Sequence, residues 1–251
     1  RHINLRFDQP GYLRVPLVSL ELLRTILSLP KGTELCLQYP VTKLLFKWHW
    51  LLKKRCVRLT TIVHDIESVR YTGKLSEEER EQLSCFDSII AHTPAMQELL
   101  ISSGISADRI RLLQLFDYLA TPPPPSPLNY QEGAPREVCF AGNLGKSLFL
   151  PELQQIVGAN LHVLLYGVGL SEEVELSDEL QFKGKFAPDD LTLLRGHYVL
   201  VWDGEAITTC TGRIGEYLKI NAPHKASLYI AAGIPLIVWR HSAIAPYVLE
   251  H

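Results

Sequence analysis

The sequence contains no run of 18 uncharged apolar residues, so nothing in it reads as a membrane-spanning helix, and no secretory leader is recognisable. It carries almost no net charge, −2 at neutral pH, so no overall field favours nucleic acid or an anionic membrane. It has no cysteine pair at metal-binding or redox spacing. Cys36, Cys56, Cys85, Cys139 and Cys210 are odd in number, far apart and mostly set in apolar stretches. Reduced, buried thiols in a cytoplasmic protein are therefore expected, and no metal site. An initiating methionine is also missing: the chain starts at Arg1 and stops at Val248-Leu249-Glu250-His251, from which a chain incomplete at both ends is expected.

What is present is ordinary globular material. At 47% hydrophobic and 21% charged residues the chain can fill a sizeable core. Its 251 residues suit one large domain or two smaller ones. Thr121-Pro-Pro-Pro-Pro-Ser-Pro127 decides for two, because proline at that density fixes φ and removes amide donors. The expected organisation is a domain over residues 1–120, a stiff linker over 121–127 and a second domain over 128–251.

Short apolar runs at 34–38, 59–63, 88–91 and 110–113 predict strands in the first half. Runs at 137–140, 161–166, 199–202 and 234–239 predict them in the second. Helical patterns over 17–29, 42–54, 94–103, 150–157, 188–194 and 223–232 fall between them. This alternation predicts two α/β domains with parallel sheets. Ligands in such sheets collect at the carboxyl ends of the strands. Polar or glycine-rich turns follow four of those ends: His64-Asp65-Ile66-Glu67, Ala141 to Ser147, Tyr166-Gly167-Val168-Gly169, and Asp203-Gly204-Glu205.

Ala141-Gly-Asn-Leu-Gly-Lys-Ser147 suggests a phosphate cradle with Asn143, Lys146 and Ser147. A nucleotide-hydrolysing P-loop would need its first glycine at position 140, which is Phe140. An ATP-dependent phosphotransferase is thus the competing enzyme class. The segment Asn221-Ala-Pro-His-Lys-Ala-Ser227 predicts a helix capped by Asn221 with Pro223 in its first turn. The amides around Lys225, Ala226 and Ser227 would then form an anion site reinforced by the charge of Lys225. Asp203 can accept hydrogen bonds from hydroxyls, Gly204 permits close backbone approach, and Tyr166 and Tyr217 can pack on a flat base or sugar. Among His64, Asp65 and Glu67, any one can serve as a general base or simply be structural. The segment Lys43 to Arg55, with five cations among aromatics, reads as a core helix or as one that touches anionic lipid.

The motifs Trp202-Asp-Gly204, Asn221-x-Pro-His-Lys-x-Ser-Leu-Tyr229, Ala141-Gly-Asn-Leu-x-Lys-Ser147, His64-Asp-Ile-Glu67 and Phe116-Asp-Tyr118 resemble the bacterial β-1,6-galactofuranosyltransferases. The related glucosyltransferases that extend glycans on adhesins look similar too. The resemblance runs from about Gln38 to Ala245. It implies a GT-B-like fold, two Rossmann-like domains facing a cleft, and a metal-independent, inverting transfer from a UDP-sugar without a cofactor. The donor sugar would be galactofuranose or glucose, and the acceptor a glycan or lipid-linked saccharide. Lys225 and the helix after Asn221-Ala-Pro223 would receive the diphosphate, with His224, Ala226 and Ser227 in that segment. Lys146 and Ser147 would assist, Tyr166 and Gly167 would line the nucleotide pocket, and His64, Asp65 or Glu67 would deprotonate the acceptor. Relatives tend to carry two asparagines where this chain has Asn221-Ala222. A site at the inner face of the cell membrane and a homo-oligomer are both compatible with this reading, as is a non-catalytic sugar-nucleotide-binding protein.

Overall fold

The structure is a computed structural model and describes residues 11–119, 131–187 and 190–251. The proline run therefore lies outside the described residues, as do Pro188 and Asp189. The chain divides into two compact units. The first holds the described residues up to Ile66 with Leu75–Ala91 and Leu99–Arg111. The second holds Glu67–Lys74, His92–Glu98 and the described residues from Leu112 onward. His64 and Asp65 thus belong to one unit and Glu67 to the other.

The first stretch of chain gives α1 (Gly11–Ser28), β1 (Glu34–Tyr39), α2 (Lys43–Lys47), α3 (His49–Lys54), β2 (Arg58–Val63), α4 (Glu67–Thr72), α5 (Glu77–Ser84), β3 (Ser88–Ala91), α6 (Pro94–Ser102) and β4 (Ile110–Leu112). The strands form one sheet in the order β1-β2-β3-β4, with β1/β2 and β2/β3 parallel. Leu59 to Thr61 and Val63 of β2 are buried, the near-continuous burial of a parallel strand covered on both faces. Asp87 fixes how β3 starts beside β2. Its Oδ2 accepts from the Leu59 amide at 2.8 Å, while its own amide donates to the Leu59 carbonyl at 2.8 Å. The Ser76 hydroxyl caps α5 by accepting from the Glu79 amide at 3.2 Å, and three glutamates in its first turn suit the positive end of the helix.

The expected single helix over 42–54 is broken into α2 and α3 at Trp48, which leaves helical geometry with φ −102° and ψ 5°. Four of the five cations there are engaged within the protein. Lys43 pairs with Glu78 at 2.5 Å and Lys53 with Asp87 at 2.6 Å. Lys54 lies over the Trp50 ring, and Arg55 donates to the Leu29 carbonyl.

The second stretch gives β5 (Arg136–Asn143), β6 (Leu161–Val168), β7 (Leu180–Phe182), β8 (Tyr198–Val201), α7 (Arg213–Tyr217), α8 (His224–Ala231), β9 (Leu236–Val238) and α9 (Ala245–Glu250). The sheet order is β7-β6-β5-β8-β9, all parallel. Alternate residues of β5 feed two cores, as a period of two requires. Cys139 and Ala141 join Tyr166, Val199, Ala226 and Tyr229, whereas Phe140 joins Phe149, Leu165 and Leu200.

Three expectations change here. Ala141-Gly-Asn143 is not a loop: it continues β5 to Asn143, and Leu144–Lys146 is a single 3-10 turn. The segment expected as a helix over 150–157 is a 3-10 run at Leu150–Gln155, and the described part of 188–194 is a 3-10 turn at Leu191–Leu193 capped by Asp190. The helices α4, α5, α7 and α9 and the strand β7 had no counterpart in the sequence reading.

β5 can run so far alongside β6 because Gly142 faces Gly167 in the register. A Cβ on Gly167, at φ +139°, would lie 1.8 Å from the Gly142 carbonyl oxygen. Backbone cannot yield that much without breaking the pairing. Gly167→Ala is expected to cost roughly 2–4 kcal/mol, read as a lowered urea midpoint; an unchanged midpoint would contradict the close approach.

Candidate functional site

The chain order of the second sheet puts β5 in the middle, β6 and β7 to one side, β8 and β9 to the other. The connection reverses between β5 and β8, and ligands of such sheets generally bind at the carboxyl ends of the strands by such a reversal. The pairing supports this: β5 and β6 are in register for eight residues, from Arg136↔Leu161 to Asn143↔Val168. β5 and β8 are in register only at Val138↔Tyr198 and Cys139↔Val199. Beyond that point α8 fills the split. The buried Tyr229 hydroxyl accepts from the Ala141 amide at 2.9 Å and donates to the Ala141 carbonyl at 2.9 Å. One side chain thus satisfies both backbone groups that β8 leaves unpaired, and it fixes where the amino end of α8 sits. Burial pushes the Tyr229 hydroxyl pKa upward, which keeps it a neutral donor.

At this end of the sheet a cavity of about 380 Å³ is lined by Asn143, Tyr166, Gly167, His224 and Lys225 of the expected site, and by Tyr118, Lys185 and Phe186, which the residue-by-residue reading missed. Tyr118 had drawn notice only as part of the Phe116-Asp-Tyr118 motif. Lys185 and Phe186 follow β7, too short at three residues to show a period; the glycine turn at Gly184, with φ +84°, was the available signal. His224 stacks on Phe116 with ring centroids 4.0 Å apart, and Phe116 meets His92 edge-on at 4.4 Å.

Lys225 carries its charge in an ion pair, with a partner the local sequence does not announce. Its Nζ donates to Asp203 Oδ1 at 2.5 Å and to the Trp202 carbonyl at 2.9 Å, and lies 5.2 Å from the centre of the Phe140 ring. Asp203 is correspondingly an ion-pair partner through Oδ1. Gly204 is there for packing, because a Cβ would fall 2.5 Å from the Thr209 carbonyl oxygen. The cap also differs. Pro223, extended at φ −69° and ψ 138°, is the N-cap of α8. Asn221 instead ends the preceding turn, its amide donating to the Tyr217 carbonyl at 3.0 Å. The Ala226 amide is already taken by the Pro223 carbonyl at 2.9 Å. Asn221 Oδ1 and Ser227 Oγ are buried with no hydrogen-bond partner among the described residues.

The remaining expected residues lie apart from the cavity lining. Lys146 is exposed, and Ser147 donates to the Asn143 carbonyl at 3.2 Å. Tyr217 is buried and lines a different cavity, of about 440 Å³, where the Arg70 guanidinium sits 5.9 Å from its ring centre. Tyr166, which does line the first cavity, is only 5% exposed and belongs chiefly to the core, its hydroxyl pKa pushed up to about 12 by burial. In the first unit His64 follows β2 directly, its amide donating to the Tyr39 carbonyl at 2.8 Å. Burial lowers its pKa below the ordinary 6.5, and Asp65 only partly opposes this. Burial also pushes the thiols of Cys139 and Cys210 up to about 12 and about 11, so both stay protonated and inert.

Two matches decide the affiliation. The C-terminal domain of glucosyltransferase 3-like proteins matches residues 138–251, and the N-terminal domain of the same proteins matches residues 18–115. The chain belongs to the glucosyltransferase 3-like family. Its relatives include the beta-1,6-galactofuranosyltransferase WbbI of Escherichia coli K12, 29% identical over a match spanning 98% of this chain and 74% of WbbI. Glucosyltransferase 3 of Streptococcus gordonii is 24% identical, with 79% of this chain and 57% of that protein matched. Among solved structures, HepE of Anabaena in complex with UDP and glucose superposes with a TM-score of 0.58 at 13% identity, covering 95% of this chain and 67% of HepE. Its complex with UDP-glucose gives 0.56. The glucosyltransferase 3-like chain accordingly has a GT-B-like fold built from two parallel-sheet α/β units.

The Tyr229 bridge is open to a direct test. Tyr229→Phe keeps the ring and strands both Ala141 groups, which is expected to cost roughly 2–4 kcal/mol. Urea denaturation checks it, and a loss under about 0.5 kcal/mol would mean the bridge is not what holds α8.

Proposed function

We propose that this chain is the catalytic body of a UDP-sugar-dependent glycosyltransferase. The observation that carries the reading is the cavity at the carboxyl ends of β5 and β6, where Lys225 meets the amino end of α8 beside Tyr118, Phe186 and His224. A helix amino end and a held ammonium favour an anion, and flat rings favour a base or sugar. Membership of a glycosyltransferase family and the UDP complexes of HepE support the same ligand class. The phosphotransferase alternative loses its structural basis, since residues 141–147 form a strand end and one 3-10 turn.

In this reading the acceptor hydroxyl oxygen attacks the anomeric carbon of the donor. The bond from that carbon to the UDP oxygen breaks, UDP leaves with the electron pair, and the hydroxyl proton passes to a base. Lys225 and the start of α8 stabilise the charge growing on the diphosphate, with no metal or cofactor. His64 is the preferred base over Asp65 and Glu67, because an imidazole's ordinary pKa lies nearer neutral pH than a carboxylate's, and burial leaves the ring neutral and able to accept a proton there. The donor is UDP-galactofuranose or UDP-glucose, following WbbI and glucosyltransferase 3, and the acceptor a glycan or lipid-linked saccharide. The reaction inverts the anomeric configuration. It takes place in the cytoplasm, the compartment in which free cysteines such as these stay reduced.

Thermal stabilisation by UDP in the presence of a chelator is the first expected result; stabilisation by Mg-ATP alone would reject the proposal. A panel of UDP-sugars assayed for hydrolysis and transfer then identifies the donor. Lys225→Ala is expected to lower turnover by about a hundredfold, the scale of roughly 3 kcal/mol for preorganised charge at a leaving group; an unchanged rate removes it from the mechanism. The pH profile tests the base. If His64 is the base, transfer falls as the pH drops through its lowered pKa, because only the neutral ring accepts the proton. A limb near the ordinary carboxylate range of about 4 that survives His64→Gln would transfer the role to Asp65 or Glu67.

A further inference from the structure

The partner of Lys225 is as firmly placed as the lysine itself. β8 ends at Val201, and the indole Nε1 of Trp202 donates to the Ala206 carbonyl at 3.0 Å, folding the following turn back on itself. Gly204 passes so close to Thr209 and Cys210 that a Cβ there would lie 2.5 Å and 2.7 Å from their backbone atoms. Asp203 is held between these two constraints. Its carboxylate and the Lys225 ammonium are 2.5 Å apart with side chains 27% and 19% exposed, shielded enough for the pair to hold in salt. An ammonium has three donors, and Asp203 and the Trp202 carbonyl account for two. Lys225 lines the cavity, whereas Asp203 is not among its lining residues and reaches it through Lys225.

A nucleoside diphosphate entering this cavity therefore meets a lysine that is fixed in place and already half compensated. We infer that Asp203 is a positioning residue for Lys225 that also weakens the hold on the departing nucleoside diphosphate, so that product leaves. The inference rests on the proposed UDP-sugar reading of the cavity. It follows from two opposed effects of one carboxylate. Hydrogen bonding to Asp203 keeps the ammonium aimed where charge develops, without reorganisation at the moment of reaction. The carboxylate's own charge repels the diphosphate in ground state and product alike. Such uniform binding, if left unopposed, slows release without lowering the chemical barrier.

The test is titration calorimetry with UDP on the full chain, wild type against Asp203→Asn, at low and moderate salt, together with steady-state transfer. Asn keeps an oxygen for Lys225 and removes the charge. UDP is expected to bind Asp203→Asn about tenfold tighter, the scale of one charge acting across roughly 10 Å at the effective dielectric of a protein surface. Its affinity should also fall more steeply with salt, and kcat and donor KM should drop together. A merely structural role would move none of these in that direction. If Asp203→Asn melts well below wild type, Asp203→Ser supplies the same comparison with a smaller acceptor. UDP binding to wild type with equal or weaker binding to both variants overturns the inference and leaves the function standing. Absence of UDP binding to wild type overturns both.

Discussion

The Tyr229 hydroxyl, bonded to both polar groups of Ala141, is the constraint on which the candidate site depends. At the reversal of the second sheet β5 loses β8 as a partner, and two backbone groups would otherwise be buried unpaired. A helix side chain supplies both bonds and is itself fully buried, so α8 can occupy one position only. That position brings Lys225 over the Phe140 ring and within reach of Trp202 and Asp203 at the end of β8. The cavity, the helix amino end and the ion pair are thus consequences of one solved hydrogen-bonding problem.

The same region shows how polar groups are held in a half-buried setting. Lys225 is neutralised by Asp203 and lies over an aromatic ring, and the nearby thiol of Cys210 stays protonated. Charge is present there but compensated within the protein. Two buried oxygens beside α8, Asn221 Oδ1 and Ser227 Oγ, have no hydrogen-bond partner among the described residues.

Much of this was legible in the sequence, for identifiable reasons. Parallel strands buried on both faces read as continuous apolar runs, which is why Leu59–Val63 and Leu161–Tyr166 fall inside observed strands. Pro223 and Gly233 bracket α8 closely. The charged helix α5, beginning Glu77-Glu-Glu-Arg80, has no apolar period to detect, and β7 is too short for one. The cap moved from Asn221 to Pro223 because Asn221 is bound into the preceding turn, a matter of tertiary placement. Pairings between residues distant in the chain were invisible: Tyr229 lies 88 positions from Ala141 and Lys225 lies 22 from Asp203. The local motif announced a lysine at a helix start, but only the fold says what that lysine already touches.

Where Gly142 and Gly167 face each other, the floor of the cavity is bare main chain, with no side chain to vary. Peptide edges are alike whatever the residue, so that surface can grip but cannot discriminate. Any preference for one small molecule over another has to be written into the side chains of the walls, Tyr118, Lys185, Phe186 and His224 among them. Exchanging those four leaves the strands untouched, which makes them the place where a new selectivity can be grafted without rebuilding the scaffold.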